Sequence, residues 1–389
     1  MKLAIDGGNP VRDTLLPYGH QWIDKEDKEA VYDALGSDYI TQGPKVEEFE
    51  KKIAEYCGVK YAVAVCNGTA ALHLACKVAG VQKKDDVITT PLTFAATANA
   101  IVYCQGNPIF ADIKEDTLNI DPADVENFIS NRSKALISVD FAGNPVDYDE
   151  LREICRKNKM VFISDSCHAL GGEYKGKKIG SLADMTVFSF HPVKGITTGE
   201  GAMILTDNEE YCCQLKLYRH HGIEKNILKG GWYYEIFDIG YNYRLTDFQS
   251  ALGISQLKKL DDNIIRRRYI ASLYREAFKD IPEIIMQKEN GGHAYHIFPV
   301  QFDLKKFKVD RLRIYNALRA ENIGVNVHYM PLHLQPFYKE KYYYEKGDYP
   351  VSERYYDRAI TLPLWARMTK LDALNVIEAV NKVVESYKI

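Results

Sequence analysis

Between residues 58 and 206, short apolar runs rich in β-branched residues alternate with stretches of helical period. The runs are Tyr61 to Cys66, Asp86 to Thr90, Ile109 to Ile113, Ala135 to Asp140, Val161 to Asp165, Thr186 to Phe190 and Ala202 to Thr206. Ala70 to Ala79, Ala95 to Tyr103 and Tyr148 to Asn158 lie between them and read as helices. Apolar strands spaced by helices predict an α/β fold whose seven-stranded sheet is mostly parallel and covered on both faces. The last two runs are joined by His191 to Gly201, where no helix fits. Such a break in local order marks a place to look for a site.

Ahead of the sheet, Asp24 followed by Asp27 opens a helix to about Leu35, and Pro44 begins another whose Val46, Phe49, Ile53 and Tyr56 share a face. After it, Thr246 to about Phe278 reads as one long helix with Phe248, Leu252, Leu257, Leu260 and Ile264 as its stripe. The remainder runs strand, helix, strand, helix over His293 to Phe302, Val309 to Glu321, Gly324 to Met330 and Lys370 to Tyr387, which predicts a smaller C-terminal α+β domain. The tyrosine-rich Lys341 to Tyr356 has no period and reads as a surface loop. The expected division is a large domain with an N-terminal arm over 1–245, a bridging helix over 246–280 and a small domain over 281–389.

A chain of 389 residues exceeds the roughly 250 to 300 at which a single core stops growing, which agrees with that division. With 50 basic against 53 acidic residues the net charge of −3 carries no footprint for nucleic acid or an anionic membrane. Met1 to Pro10 lacks the apolar core of a signal peptide, and no segment approaches the roughly 18 to 20 apolar residues that cross a bilayer. A cytoplasmic protein is expected. The cysteines at 57, 66, 76, 104, 155, 167, 212 and 213 form no C-x-x-C pair and read as reduced thiols; no H-E-x-x-H occurs, and no metal site is expected.

The break contains the chemistry. Lys194 lies between two runs that read as buried strands, where a bare ammonium costs several kilocalories. Such a lysine is paired, neutral or covalently engaged, and a lowered pKa suits imine formation with a carbonyl. Asp165 ends the run Val161 to Asp165, at the strand edge where open α/β sheets bind ligands. A carboxylate there can keep the ring nitrogen of pyridoxal phosphate protonated. His168, three residues on, is placed to orient Asp165 or touch the ring. Asn67-Gly68-Thr69 follows a strand and opens an apolar helix, so backbone N–H groups and the Thr69 hydroxyl form an anion site suited to a phosphate. Phe94, at the next such turn, offers a ring to stack on a flat cofactor.

These residues resemble the DegT/StrS family of nucleotide-sugar aminotransferases, of the fold-type I aminotransferase architecture. The likeness covers nearly the whole chain and shows in Tyr39–Gly43, Asn67–Leu72, Thr93–Asn99, Asp165–Gly171, Ser189–Lys194, Gly240–Leu245, Gln249–Gly253 and Val327–Pro331. The resemblance implies pyridoxal phosphate as cofactor, Lys194 as its Schiff-base lysine and catalytic residue, and Asp165 against the pyridine nitrogen with His168 beside the ring. It further implies that Phe94 stacks and that Gly68, Thr69 and Ser189 hold the phosphate. A homodimer with shared sites is implied, Asn242 reaching in from the partner subunit. Tyr18, Thr41, His328 and Tyr329 match positions that line the nucleotide-sugar pocket. The implied reaction passes an amino group from L-glutamate to the 4-keto group of a UDP-linked 4-keto-6-deoxy-N-acetylhexosamine. The lysine loop and Val327-His-Tyr329 are most similar to the transaminases that feed pseudaminic acid synthesis; Gly195 stands where that group has proline, and Ala202 where glycine is usual. Alternatives are an aminotransferase for another nucleotide 4-keto or 3-keto sugar, a sugar dehydratase on the same fold, and a non-catalytic regulator. Relatives that dehydrate at C3 carry a histidine in place of Lys194.

Overall fold

The computed structural model describes residues 2–389. Its central sheet has seven strands in the spatial order Tyr61–Val65, Ala202–Thr206, Met185–Ser189, Val161–Asp165, Ser133–Val139, Asp86–Thr89 and Asn107–Phe110. Ala202–Thr206 is antiparallel to both of its neighbours, and the other four pairings in the sheet are parallel. Side chains alternate between two apolar cores as the strand period requires. Ile88, Leu136, Phe162, Phe188 and Met203 face one core together with Phe49, Ile53 and Leu151 of the helices Pro44–Cys57 and Tyr148–Lys157. Their chain neighbours Val87, Ile137, Ile163, Val187 and Ile204 face the other, with Leu72, Ile101 and Leu215 of Gly68–Val78, Ala95–Tyr103 and Glu209–Arg219. Burial on both faces is why these strands read as unbroken apolar runs.

The run expected at Ile109 to Ile113 forms a strand earlier, at Asn107–Phe110. It is the sheet's edge, where Pro108 is tolerated because one side of the strand needs no partner.

Four further expectations are corrected. The helix read as continuous from Thr246 to Phe278 is two helices, Asp247–Leu257 and Leu260–Phe278. Lys259 leaves helical geometry at φ −111° and ψ 9°, and its ammonium is drawn to the carboxylates of Asp24 and Asp27. Of His293 to Phe302 only Phe298–Phe302 is strand, because the amides of Ala294 and His296 donate to Gly143 and Ala142 instead of to a sheet. Gly324 to Met330 makes a single bridge, Asn326 to Thr361, with Gly324 bonded to Leu16. The supposed loop Lys341 to Tyr356 contains most of the helix Pro350–Arg358. Two of its tyrosines are buried, with Tyr349 beside Phe110 and Tyr355 beside Phe141, and the Tyr355 hydroxyl donates to the His328 carbonyl at 2.7 Å, while Tyr343 stays exposed.

The C-terminal part builds the antiparallel sheet Ile284–Met286, Phe298–Phe302, Ala359–Leu362 and packs it against Leu260–Phe278, Arg311–Ala320 and Lys370–Tyr387. Leu3 and Leu16 of the N-terminal arm are members of this core. The buried Glu321 fastens the arm by accepting from the amides of Ala4 and Val11 at 2.8 and 2.9 Å, and it is neutralised by Lys382 at 2.9 Å. The arm thereby brings Tyr18 back over the sheet's carboxyl edge. No helix among the described residues is long and apolar enough to cross a membrane.

Candidate active site

Parallel strands align their carboxyl ends, and the turns after Val65, Thr89, Val139, Asp165 and Ser189 meet along one edge of the sheet. A cavity of about 640 Å³ opens there, within the range of small-molecule sites. Gly68, Thr69, Phe94, Asp165, His168, Ser189 and Lys194 all line it. So do Tyr18, His328 and Tyr329. Two expected site residues lie elsewhere on this chain. Thr41 is exposed and bridges to Thr246, and Asn242 is exposed and bridges to His220.

At one end of the cavity the helix Gly68–Val78 presents its N-terminus, capped by the Asn67 side chain, which accepts from the Ala70 amide at 2.8 Å. A Cβ on Gly68 would stand 3.4 Å from the Ser189 Cβ, so glycine leaves open the space between the helix end and that hydroxyl. Free N–H groups, a positive helix end and two hydroxyls suit a phosphate.

Asp165 is buried and held from two sides. Its Oδ2 accepts from the Thr97 hydroxyl at 2.7 Å and its Oδ1 from the Cys167 amide at 3.3 Å. Thr97 is in turn bonded to Thr93 at 2.8 Å across the first turn of Ala95–Tyr103. The sequence reading missed Thr97; its signal was a threonine pair four apart at a helix start beside the sheet edge. Directly behind lies Asp140, fully buried, accepting from Tyr148 and Ser166 hydroxyls at 2.6 Å each; burial pushes its carboxyl up to about 6.

The Lys194 amine sits in the loop between Met185–Ser189 and Ala202–Thr206. Desolvation lowers its pKa, opposed by the fields of Cys167 and Asp165. Three imidazoles surround it. His296, absent from the expected set, approaches with Nε2 at 3.5 Å. His168 packs on His296 with ring centroids 4.4 Å apart and meets the Tyr329 hydroxyl at 3.3 Å. His328 is bonded to the Thr361 hydroxyl at 2.9 Å and lies 5.5 Å from the Tyr18 ring. Burial and then the nearby lysine hold His168 well below the usual imidazole range and His328 at about 4. His296 is likewise held well below, first by burial.

These residues fit pyridoxal phosphate, on which the test is the donor set. A carboxylate is aimed into the cavity for a pyridinium, a glycine-opened helix end awaits a phosphate, and a desolvated amine lies between them. Phe94, 61% exposed, presents its ring beside Tyr329 for stacking. Among the described residues no cluster of His, Cys, Asp or Glu could hold a metal.

The model of the DegT/DnrJ/EryC1/StrS aminotransferase family matches residues 21–381. The chain belongs to that family. It is a pyridoxal-phosphate-dependent aminotransferase. Among its relatives, the spore coat polysaccharide biosynthesis protein SpsC of Bacillus subtilis is 41% identical over 382 residues, covering 96% of this chain and 98% of that protein. The UDP-4-amino-4,6-dideoxy-N-acetyl-beta-L-altrosamine transaminase of Campylobacter jejuni serotype O:2 is 40% identical over 379 residues, covering 96% and 99%. Among solved structures, Helicobacter pylori PseC, an aminotransferase involved in the biosynthesis of pseudoaminic acid, superposes with a TM-score of 0.90 at 35% identity, covering 96% of this chain and all of that one.

Proposed function

We propose that this aminotransferase moves an amino group from L-glutamate to the 4-keto group of a UDP-linked 4-keto-6-deoxy-N-acetylhexosamine in the cytoplasm, as a step of pseudaminic acid biosynthesis. The observation that carries the reading is the convergence of Lys194, Asp165 and the Gly68 helix end on one cavity whose remaining wall is built by Tyr18, His328 and Tyr329. The relatives' names supply the sugar: both the C. jejuni protein and PseC belong to that chemistry. The comparable identity to SpsC favours a second sugar of the same class, used for a cell-surface polysaccharide.

Bound pyridoxal phosphate supplies an electron sink for the charge released when a C–H bond beside nitrogen breaks. The chain's residues do the rest. Asp165, locked by Thr97 and the Cys167 amide, fixes a negative charge where the ring nitrogen's proton belongs. Gly68, Thr69 and Ser189 bind the phosphate, and Phe94 and His168 hold the ring from its faces. Lys194 anchors the cofactor covalently and serves as the base that carries the donor's α-proton; its lowered pKa enlarges the neutral fraction near pH 7. Tyr18, His328 and Tyr329 form the sugar-nucleotide side.

The site is shared in a homodimer, with Asn242 serving the partner's phosphate site. Its support is the surface around it: Leu228 is 98% exposed, and Ile227 and Trp232 are each 79% exposed, on the hairpin that precedes Asn242, more apolar area than a monomer leaves to water without use. Purified enzyme tests the whole reading. Its visible absorbance should bleach with L-glutamate and recover on adding the 4-keto sugar made fresh by its dehydratase. Bleaching without recovery on any UDP-linked 4-keto-N-acetylhexosamine would overturn the substrate assignment.

A further inference from the structure

We infer that His296 is a positioning residue that sets the basicity and the lone-pair direction of the Lys194 amine. The inference rests on the reading of Lys194 as the proton carrier.

His296 is buried, its amide bonded to the Ala142 carbonyl at 2.9 Å, and its Nε2 lies 3.5 Å from the Lys194 Nζ. Behind it stands Arg267, also buried. One of its terminal nitrogens donates to the carbonyls of Tyr295, His296 and Leu364 at 3.2, 3.0 and 3.1 Å, and no carboxylate among the described residues pairs with it. The imidazole thus has the Lys194 amine at its Nε2 and His168 against its face, while the guanidinium of Arg267 holds the residue's backbone carbonyl. Two cationic neighbours and burial all disfavour imidazolium, which accords with its depressed pKa.

A neutral imidazole has one donor and one acceptor nitrogen. An ammonium can only donate, so against the charged Lys194 the nitrogen that faces it is the acceptor and the ring proton sits on Nδ1, which is buried without a hydrogen-bond partner. Where the ring keeps that tautomer, Lys194 donates one N–H to His296 in either of its charge states. In the neutral amine this bond turns the lone pair away from His296 and toward the cavity, where the donor's α-carbon must lie. The α C–H breaks, a third N–H bond forms on Nζ from its lone pair, and the C–H bonding pair is left on carbon, where the bound cofactor would delocalise it. The ammonium so produced gains the stronger, charge-assisted form of the same hydrogen bond.

Other groups facing the amine are Asp165, Cys167, His168, His328 and Tyr329. Asp165 is committed to Thr97 and the Cys167 amide, and burial raises the Cys167 thiol far above neutrality. His168 and His328 already have partners in Tyr329 and Thr361. His296 is the acceptor left for Lys194.

Gln in place of His sets an oxygen near the Nε2 position, whereas Asn matches only Nδ1 and leaves the gap. The experiment compares His296→Gln and His296→Asn with wild type in two readouts. The first is the amine pKa of Lys194 in the cofactor-free protein, from the pH dependence of its acylation followed by peptide mass spectrometry. The second is the acid limb of kcat in the loaded enzyme. Loss of the acceptor in His296→Asn should lower the amine pKa and move the limb to lower pH, each by about one unit, a tenfold change in the protonation equilibrium. The kcat should fall roughly tenfold or more with KM for the keto sugar held, and His296→Gln should restore both limb and rate. An amine pKa unchanged in His296→Asn, or equal shifts in both variants, overturns the inference. Transamination retained by Lys194→Ala would instead sink the reading beneath it.

Discussion

Replacing Asp165 with Asn keeps the side chain's size and removes its charge. In the native site the two carboxylate oxygens are already matched to two donors, Thr97 at 2.7 Å and the Cys167 amide at 3.3 Å. An amide has one acceptor oxygen. If that oxygen stays on Thr97, the NH2 faces the Cys167 N–H and the ring nitrogen, so donors oppose donors; if it turns, the Thr97 hydroxyl loses its partner. Either arrangement also loses the full negative charge that keeps the pyridine nitrogen protonated. Losing a charge interaction that strengthens as the C–H bond breaks costs about 3 to 4 kcal/mol, or roughly 10² to 10³ in rate. The assay is a single-turnover half-reaction with L-glutamate, followed by visible absorbance, with circular dichroism to verify the fold. Cofactor should remain bound through the helix end and Lys194 while the half-reaction slows. A variant within about threefold of wild type would refute the role given to Asp165.

Lys194→Ala should abolish turnover while still binding cofactor by equilibrium dialysis; retention of about a tenth of the activity would show that the lysine is not essential. Thr97→Val removes one hydrogen bond to a charged group and should slow the half-reaction by roughly tenfold or more, less than Asp165→Asn. Gly68→Ala presses a methyl toward Ser189 and should weaken cofactor affinity at least about tenfold, about 1.4 kcal/mol, read by titrating cofactor-free protein. Mixing Lys194→Ala with an Asn242 variant that has lost its cofactor should restore up to about a quarter of wild-type activity once subunits exchange, and no recovery would confine Asn242 to its own chain. His328, folded near 4 against an unfolded value of about 6.5, takes up protons on unfolding, so stability present at pH 7 is lost as pH falls from about 6.5 toward 4. This group's share is about 3 kcal/mol, and urea midpoints of the cofactor-free protein at pH 7.5 and 5 should show the decline.

The sheet was legible because its strands are short runs buried on both faces, set off from longer helices such as Tyr148–Lys157 that bury one face, although Gly68–Val78 is itself buried almost throughout. Lys194 and Asp165 were legible for the opposite reason: each is a charge set at the end of an apolar run. Elements that answer to distant partners were not. The break at Lys259 depends on Asp24 and Asp27, more than two hundred residues earlier in the chain. The tyrosines of Lys341 to Tyr356 carry no period because Tyr342, Tyr344, Tyr349 and Tyr355 fill gaps around Phe110 and Phe141 instead of lining one face. His296 was lost within a segment read as strand, since nothing local says that its amide bonds to Ala142. Arg267 lay hidden on a helix whose apolar stripe gave no reason to expect a buried guanidinium.

The origin of each wall of the cavity explains why the cofactor was easier to read than the sugar. The cofactor residues sit at the ends of neighbouring strands and their following turns, and the sheet's own hydrogen bonds fix their spacing. The opposite wall is assembled from two remote pieces. Tyr18 arrives on an arm tied to the C-terminal part through Leu16 and Glu321, and its carbonyl accepts from the Leu364 amide at 3.0 Å. His328 and Tyr329 follow a segment held by a single bridge to Thr361. Such a wall can change its side chains, or shift with the arm, without disturbing Asp165, Gly68 or Lys194. Conserving the chemistry while varying the sugar thus needs substitutions only on that side, and it is there, not in the lysine loop, that the determinants of the sugar should be sought.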